Sequence, residues 1–129
     1  MATIATQLPG IGTPLTPTFT AVTATDKFAS GGGGNWIVYY RNGATVGTGA
    51  LYVVDQNVTV PAGAAAPALP TGATNWSDAL VINNMPATSD RVIAIPGIYI
   101  AQYTDTTGFV NLKHNGTLTS ITVAIFGPF

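Results

Sequence analysis

One histidine, five aspartates, no glutamate and no cysteine make up the reactive inventory of this 129-residue chain. The lack of cysteine excludes thiol nucleophiles, disulfides and thiolate zinc sites, and leaves the redox compartment open. General acid-base catalysis needs a carboxylate pair or a histidine placed by a partner. His114 stands beside Asn115-Gly116, the strongest short hairpin signal available, and reads as a hairpin-tip residue rather than as a base or metal ligand. Asp26, Asp55, Asp78, Asp90 and Asp105 each fall near a turn or a strand end, where a carboxylate caps local backbone N–H groups. Spacing alone leaves a carbohydrate-active carboxylate pair open, because distant strands meet in a fold. Asp105-Thr106-Thr107-Gly108 lacks the alternating oxygens and terminal glutamate of an EF-hand loop. No catalytic residue, cofactor or metal site is expected, and the chain does not read as an enzyme.

Aromatic residues are the other candidates. Trp36 and Trp76, with Tyr39, Tyr40, Tyr52, Tyr99 and Tyr103, form either a core or a platform for a sugar or a protein partner. Core is the commoner place for aromatics on strands. Gly31 to Gly34 run into Trp36-Ile37-Val38-Tyr39-Tyr40, a strand pattern, whereas a phosphate-binding loop opens a helix with Lys and Ser or Thr. The glycines read as a turn. Asn57-Val58-Thr59, Asn75-Trp76-Ser77 and Asn115-Gly116-Thr117 match the glycosylation pattern by chance in a chain rich in Asn and Thr.

The elements that position these residues are strands. After Asn42-Gly43 comes Ala50 to Asp55, followed by a loop at 61–74 dense in Ala, Pro and Gly. Ala79 to Asn83 and Arg91 to Ile95 resume the strand pattern. Pro96-Gly97 marks a turn, and Ile98 to Tyr103 is either a strand or an irregular crossing segment. Val110, Leu112 and His114 alternate against Phe109, Asn111 and Lys113, and Ile121, Val123 and Ile125 alternate likewise. Residues 109–126 are thus predicted to form an antiparallel hairpin about Asn115-Gly116. With no capped helical pattern, the predicted fold is all-β: a single antiparallel β-sandwich or small β-barrel over 19–129, preceded by an extended N-terminal arm over 1–18. Pro9, Gly10, Gly12, Pro14 and Pro17 keep that arm from forming a helix. Its expected contact residues are Leu8, Pro9, Ile11, Pro14, Leu15 and Pro17, joined by Trp36 and Trp76.

Composition bounds the partners. Charged residues are 7% of the chain against a typical ~25%, with four basic and five acidic residues. Such a chain cannot neutralise a phosphate backbone, which excludes an electrostatic nucleic-acid binder, and it lacks a polybasic membrane patch. No apolar run approaches the roughly 20 residues of a membrane span. The first ten residues lack a basic n-region and an apolar h-region, so cleaved export is not expected.

The order of segments resembles small structural proteins encoded near the major capsid gene of tailed bacteriophages, candidates for capsid decoration. The likeness covers about residues 24–126: Asp26-Lys27-Phe28 with its glycines, the strand ending in Asn42-Gly43, Pro96-Gly97, Asp105 to Leu112, and Thr119 to Ile125. The Gly31–Gly34 run, the 61–74 segment and the glycine-free turn Met85-Pro86-Ala87-Thr88 depart from the family pattern. The resemblance implies a virion protein made in the host cytoplasm and bound to the capsid exterior, partnered by the major capsid protein and by copies of itself, with a trimer favoured. Deleting residues 2–18 is then expected to weaken capsid loading and spare the fold. The alternative is a carbohydrate- or receptor-binding β-sandwich module of a phage fibre or adhesin.

Overall fold

A computed structural model describes residues 2–10, 12–31, 33–54, 56 and 81–129. Ile11, Trp76 and the expected loop at 61–74 lie outside the described residues. The fold is all-β: the described residues form two five-stranded sheets and one four-residue helix, α1 (Ile100–Tyr103). The first sheet runs β1 (Ala2–Thr3), β4 (Thr25–Ala29), β9 (Phe109–His114), β6 (Ala50–Val53), β7 (Val81–Asn83). The second runs β2 (Thr6–Gln7), β10 (Ile121–Phe126), β5 (Trp36–Asn42), β8 (Ser89–Ile95), with β3 (Thr20–Ala21) also paired to β10.

Period-two alternation sorts the side chains. Along β5, Trp36, Val38, Tyr40 and Asn42 are buried, whereas Ile37, Tyr39 and Arg41 point away from the core. Along β9 the buried set is Val110, Leu112 and His114, and along β10 it includes Ile121, Val123 and Ile125. These faces meet in one core with Phe28, Leu51, Val53, Ile93 and Ile95, so both sheets share it. Phe28 and Trp36 pack with ring centroids 5.2 Å apart.

Three expectations are corrected here. First, the sheets are mixed rather than antiparallel, because β1 pairs β4 and β2 pairs β10 in parallel. Second, residues 2–7 are not a free arm. They cross from one sheet to the other, the Ile4 amide donates to the Lys27 carbonyl (2.8 Å), and the Ile4 side chain is 3% exposed. Burying an isoleucine contributes about 2–3 kcal/mol, which is why this segment joins the fold. Only the stretch after Gln7 leaves the sheets. It is pinched shut where the Gln7 side chain donates to the Thr18 carbonyl and accepts from the Thr18 amide, both at 2.8 Å.

Third, β9 and β10 do not form a hairpin, because they belong to different sheets. Alternation fixes which face of a strand is buried, but not its neighbour. The Asn115-Gly116 turn bonds instead to the segment before β6: Asn115 Oδ1 accepts the Ala50 amide (2.7 Å), and the Thr48 and Thr117 hydroxyls meet at 2.9 Å. Gly116 has φ 80° and lies against Gly49, where a Cβ would come 2.5 Å from the Gly49 nitrogen. Asn42-Gly43 likewise leads from β5 in the second sheet to β6 in the first. Ile98 to Tyr103 is neither alternative in full: a turn precedes α1, which delivers Ile100 and Tyr103 to the core.

Candidate interaction surface

The only histidine is interior. His114 is 3% exposed and Asp26 and Tyr40 are fully buried, so the hairpin-tip reading of His114 is overturned. His114 Nδ1 lies 2.6 Å from the Thr23 carbonyl oxygen, which can only accept, so Nδ1 carries the proton of the neutral ring. Nε2 is then the acceptor for the Tyr40 hydroxyl at 2.7 Å. Asp26 Oδ2 stands 3.4 Å from Nδ1 and also accepts the Thr23 amide (2.8 Å). Its Oδ1 accepts the Thr23 hydroxyl (2.6 Å) and the Ala2 amide (3.2 Å). Burial pushes the Tyr40 hydroxyl far above its ordinary range, with the Asp26 charge acting in the same direction. Burial also lowers the His114 pKa, against the opposing pull of the Thr23 carbonyl and Asp26.

The sequence Asp–His–Tyr resembles a proton relay, yet every polar atom in it is engaged with another protein group and none reaches solvent. Its effect is to tie β4, β5, β9 and the N-terminal β1 together through the core. Among the described residues, no group of three or more His, Cys, Asp or Glu side chains is placed to hold a metal ion. Nor is any helix among them long and apolar enough to cross a membrane. Asp105 has a local role: its carboxylate caps the Thr107 and Phe109 amides at 2.8 and 3.0 Å and accepts the Thr107 hydroxyl and the Asn111 amide.

An accessible surface is built at one end of the second sheet. The strand directions bring together the end of β2, the end of β10, the start of β5 and the end of β8. Asn35 fastens the segments that follow. Its backbone pairs with Phe129 in both directions (2.9 and 3.3 Å), and its side-chain oxygen accepts the Gly97 amide. The Gly127 amide donates to the Gln7 carbonyl at 2.9 Å, which brings Leu8 to the same end. Leu8 (51% exposed), Ile98 (82%), Tyr99 (52%) and Phe129 (56%) project there, four of the six exposed large hydrophobics among the described residues. The segments 7–10, 33–35, 96–99 and 127–129 carry no charged side chain.

Of the expected contact residues, Leu8, Pro9, Pro14 and Pro17 are exposed and Leu15 is half-buried, while Ile11 and Trp76 lie outside the described residues. Trp36 does not contact solvent. It is 2% exposed, its indole N–H donates to the Gly33 carbonyl (2.7 Å), and Gly127 lies directly on its ring. It therefore supports the apolar end from beneath. Tyr40, Tyr52 and Tyr103 are interior as well, which dissolves the aromatic platform as a set. On the outer face of the second sheet, Tyr39 packs edge-on to Phe19 (5.5 Å) and Phe126 (6.5 Å), with the Arg41 guanidinium over Phe19 at 4.3 Å. Asp90 closes this group, accepting from the Tyr39 hydroxyl (2.9 Å) and from Arg41 Nε (3.2 Å). A shallow hollow of about 190 Å³ on the first sheet is lined by Thr25, Asp26, Val54, Gln56, Asn111, Leu112 and Lys113; its one carboxylate, Asp26, is already engaged by the Thr23 and Ala2 groups.

Ile98 and Phe129 are not singled out by the sequence as contact residues, and Tyr99 is named there only as one member of the aromatic platform. The available signal was an apolar pair placed directly after the Pro96-Gly97 turn, where a strand reading would hide one of the two. No family model, curated protein or solved structure matches the chain. Its function is therefore read from the residues themselves.

Proposed function

We propose that the chain is a virion structural protein of tailed bacteriophages, a capsid decoration protein bound to the exterior of the major capsid shell and stabilising it. In this reading the two sheets are the layers of a β-sandwich, and the protein acts as a homo-oligomer, a trimer being favoured. The observation that carries the reading is the exposed apolar end, whose segments hold no charged side chain. Interface centres are depleted in charge and enriched in Tyr and large apolar side chains, and an exposed apolar cluster on a rigid frame marks an interaction site. The end and the 8–17 loop would lie across joints between capsid subunits. Binding the assembled shell but not its separated subunits stabilises the shell by mass action, and several copies in one oligomer add avidity.

Deleting residues 2–18 is no longer a clean test, because it removes Ile4 from the core and two strands from the sheets. A double substitution, Ile98→Asp with Phe129→Asp, leaves the core intact and charges the end. Virions of the phage encoding the chain should carry hundreds of wild-type copies by quantitative mass spectrometry, and the double variant should be lost from the particle with its melting temperature unchanged. A dozen copies or fewer, or equal occupancy by the variant, would refute the proposal. The carbohydrate- or receptor-binding alternative retains the exposed Tyr99 and the Phe19, Tyr39, Arg41 and Asp90 group. Glycan-array binding that Tyr39→Ala abolishes would put it first.

A further inference from the structure

The sheet edges of this protein are unequal. The first sheet ends in β1 and β7, two and three residues long. One edge of the second sheet is shared by β2 and β3, two residues each. The remaining edge, β8, is seven residues long and pairs only with β5 among the described residues. Its ladder to β5 runs through seven consecutive pairs without a bulge, and its sequence Ser-Asp-Arg-Val-Ile-Ala-Ile holds no Pro, Gly or Lys. Natural proteins blunt edges with short strands, bulges, prolines or charged side chains, lysine above all, because a long regular edge is a template for another strand. The edges at β1 and at β2 and β3 are blunted by strands only two residues long, whereas the one such device on β8 is the Asp90-Arg91 pair near its start.

We infer that β8 is a self-association edge, pairing antiparallel with β8 of a second copy about a two-fold axis through Val92. The register follows from the strand's own residues. Side chains opposite one another in an antiparallel pair share a face, so a two-fold axis perpendicular to the sheet must pass through a residue. An axis at Asp90 or Arg91 sets like charges directly opposite each other, which is destabilising. An axis at Ile93 or beyond draws Pro96, which has no N–H, into the ladder. The axis at Val92 overlaps the whole strand, placing Val92 against Val92, Asp90 against Ala94, and Arg91 against Ile93. Val92 is 49% exposed and Asp90, Arg91 and Ala94 are exposed, and among the described residues no strand pairs with the far side of β8. A seven-residue ladder is smaller than a standard stable interface, and the association is accordingly weak and concentration-dependent. The inference stands apart from capsid binding and is tested without shells.

The absence of cysteine makes the register directly measurable, because each variant then carries a single thiol. In the Val92-centred pair, two residues at position 92 have Cβ atoms roughly 4.5–5.5 Å apart, close enough for a disulfide with slight adjustment. Two residues at position 94 are offset by four residues, about 13 Å along the strands. Under mild oxidation the purified Val92→Cys variant should form a cross-linked dimer, and Ala94→Cys should remain at least about tenfold slower to do so. By sedimentation velocity up to millimolar concentration, the wild type should self-associate. Val92→Lys, which keeps the fold because the site is half exposed, should associate at least about tenfold more weakly, since it sets two charges opposite each other. A wild type that stays monomeric throughout, or equal cross-linking at positions 92 and 94, would overturn the inference.

Discussion

Tyr40→Phe is the most informative single substitution, because it deletes one oxygen and leaves the ring in place. The Tyr40 ring meets the His114 ring edge-on at 5.5 Å, and that packing survives the change. The hydroxyl is the donor to His114 Nε2 at 2.7 Å in a fully buried setting. Without it, Nε2 of the neutral ring is a buried acceptor with no partner. Leaving such a group unsatisfied costs about 1–3 kcal/mol, more than the net worth of a typical hydrogen bond. With about 2.1 cal/mol/K of unfolding entropy per residue over 129 residues, the unfolding entropy is roughly 0.27 kcal/mol/K. The expected loss of melting temperature is therefore ~4–11 °C by calorimetry. In a double-mutant cycle with His114→Leu, the two losses should fall short of additivity by about 1 kcal/mol or more, as for groups in one network. A Tyr40→Phe melting temperature within about 1 °C of the parent, or strict additivity in the cycle, would refute the reasoning.

Acid should destabilise the fold in two windows. Burial lowers the His114 pKa, so below about pH 6.5 the unfolded chain binds a proton that the folded chain resists, and stability falls from there down to the folded pKa. Denaturant midpoints measured against pH should show this decline, and His114→Gln should remove it. Hydrogen bonds from the Thr107 hydroxyl and the Asn111 amide hold the Asp105 carboxyl well below the usual range, so its contribution is complete above about pH 3.9 and is lost as the pH falls further. Gly116→Ala should cost about 1 kcal/mol or more, since it combines a positive φ with a Cβ that meets the Gly49 backbone; an unchanged denaturant midpoint would contradict the crossing turn. Gln7→Ala removes both bonds that close the 8–17 loop, and limited proteolysis should nick residues 8–18 faster while the melting temperature moves little.

Much of the fold was legible because period two is a strong signal. Phe109 to His114 and Ile121 to Phe126 fall in strands where alternation places them, and Trp36 to Tyr40, Ala50 to Val53 and Arg91 to Ile95 fall in strands that their aromatic and β-branched residues mark. The same alternation put His114 on one face with Val110 and Leu112, and that face is the buried one. The Asn115-Gly116 signal beside it suggested a hairpin tip, but a turn dipeptide reports local backbone geometry and says nothing of whether the chain returns to the same sheet. Asp26 shares its face with Phe28, and Tyr40 shares its face with Trp36 and Val38. Their meeting with His114 joins residues 74 and more positions apart, which no local pattern encodes. The N-terminal segment misled for another reason. Its prolines begin only at Pro9, and residues 2–7 were grouped with them although Ile4 offered a core side chain.

Strand β5 shows how these pieces divide the work. Each of its inward polar groups has a structural partner. Trp36 donates to Gly33, Tyr40 to His114, and Asn42 to the carbonyls of Thr45, Met85 and Pro86 while accepting from the Ser120 hydroxyl. The inward polar groups of β5, with His114, thus tie the two sheets together through the core. Just before the strand, Asn35 gathers the Gly97 turn and the Phe129 segment beside the buried Trp36. A contact surface made of short segments fastened to one residue is pre-ordered, so a partner need not supply the entropy of arranging it. Substituting Asn35 with Ala should therefore weaken partner binding more than it weakens the fold, since its side chain holds the Gly97 turn and the Phe129 segment at the surface and fills no part of the core.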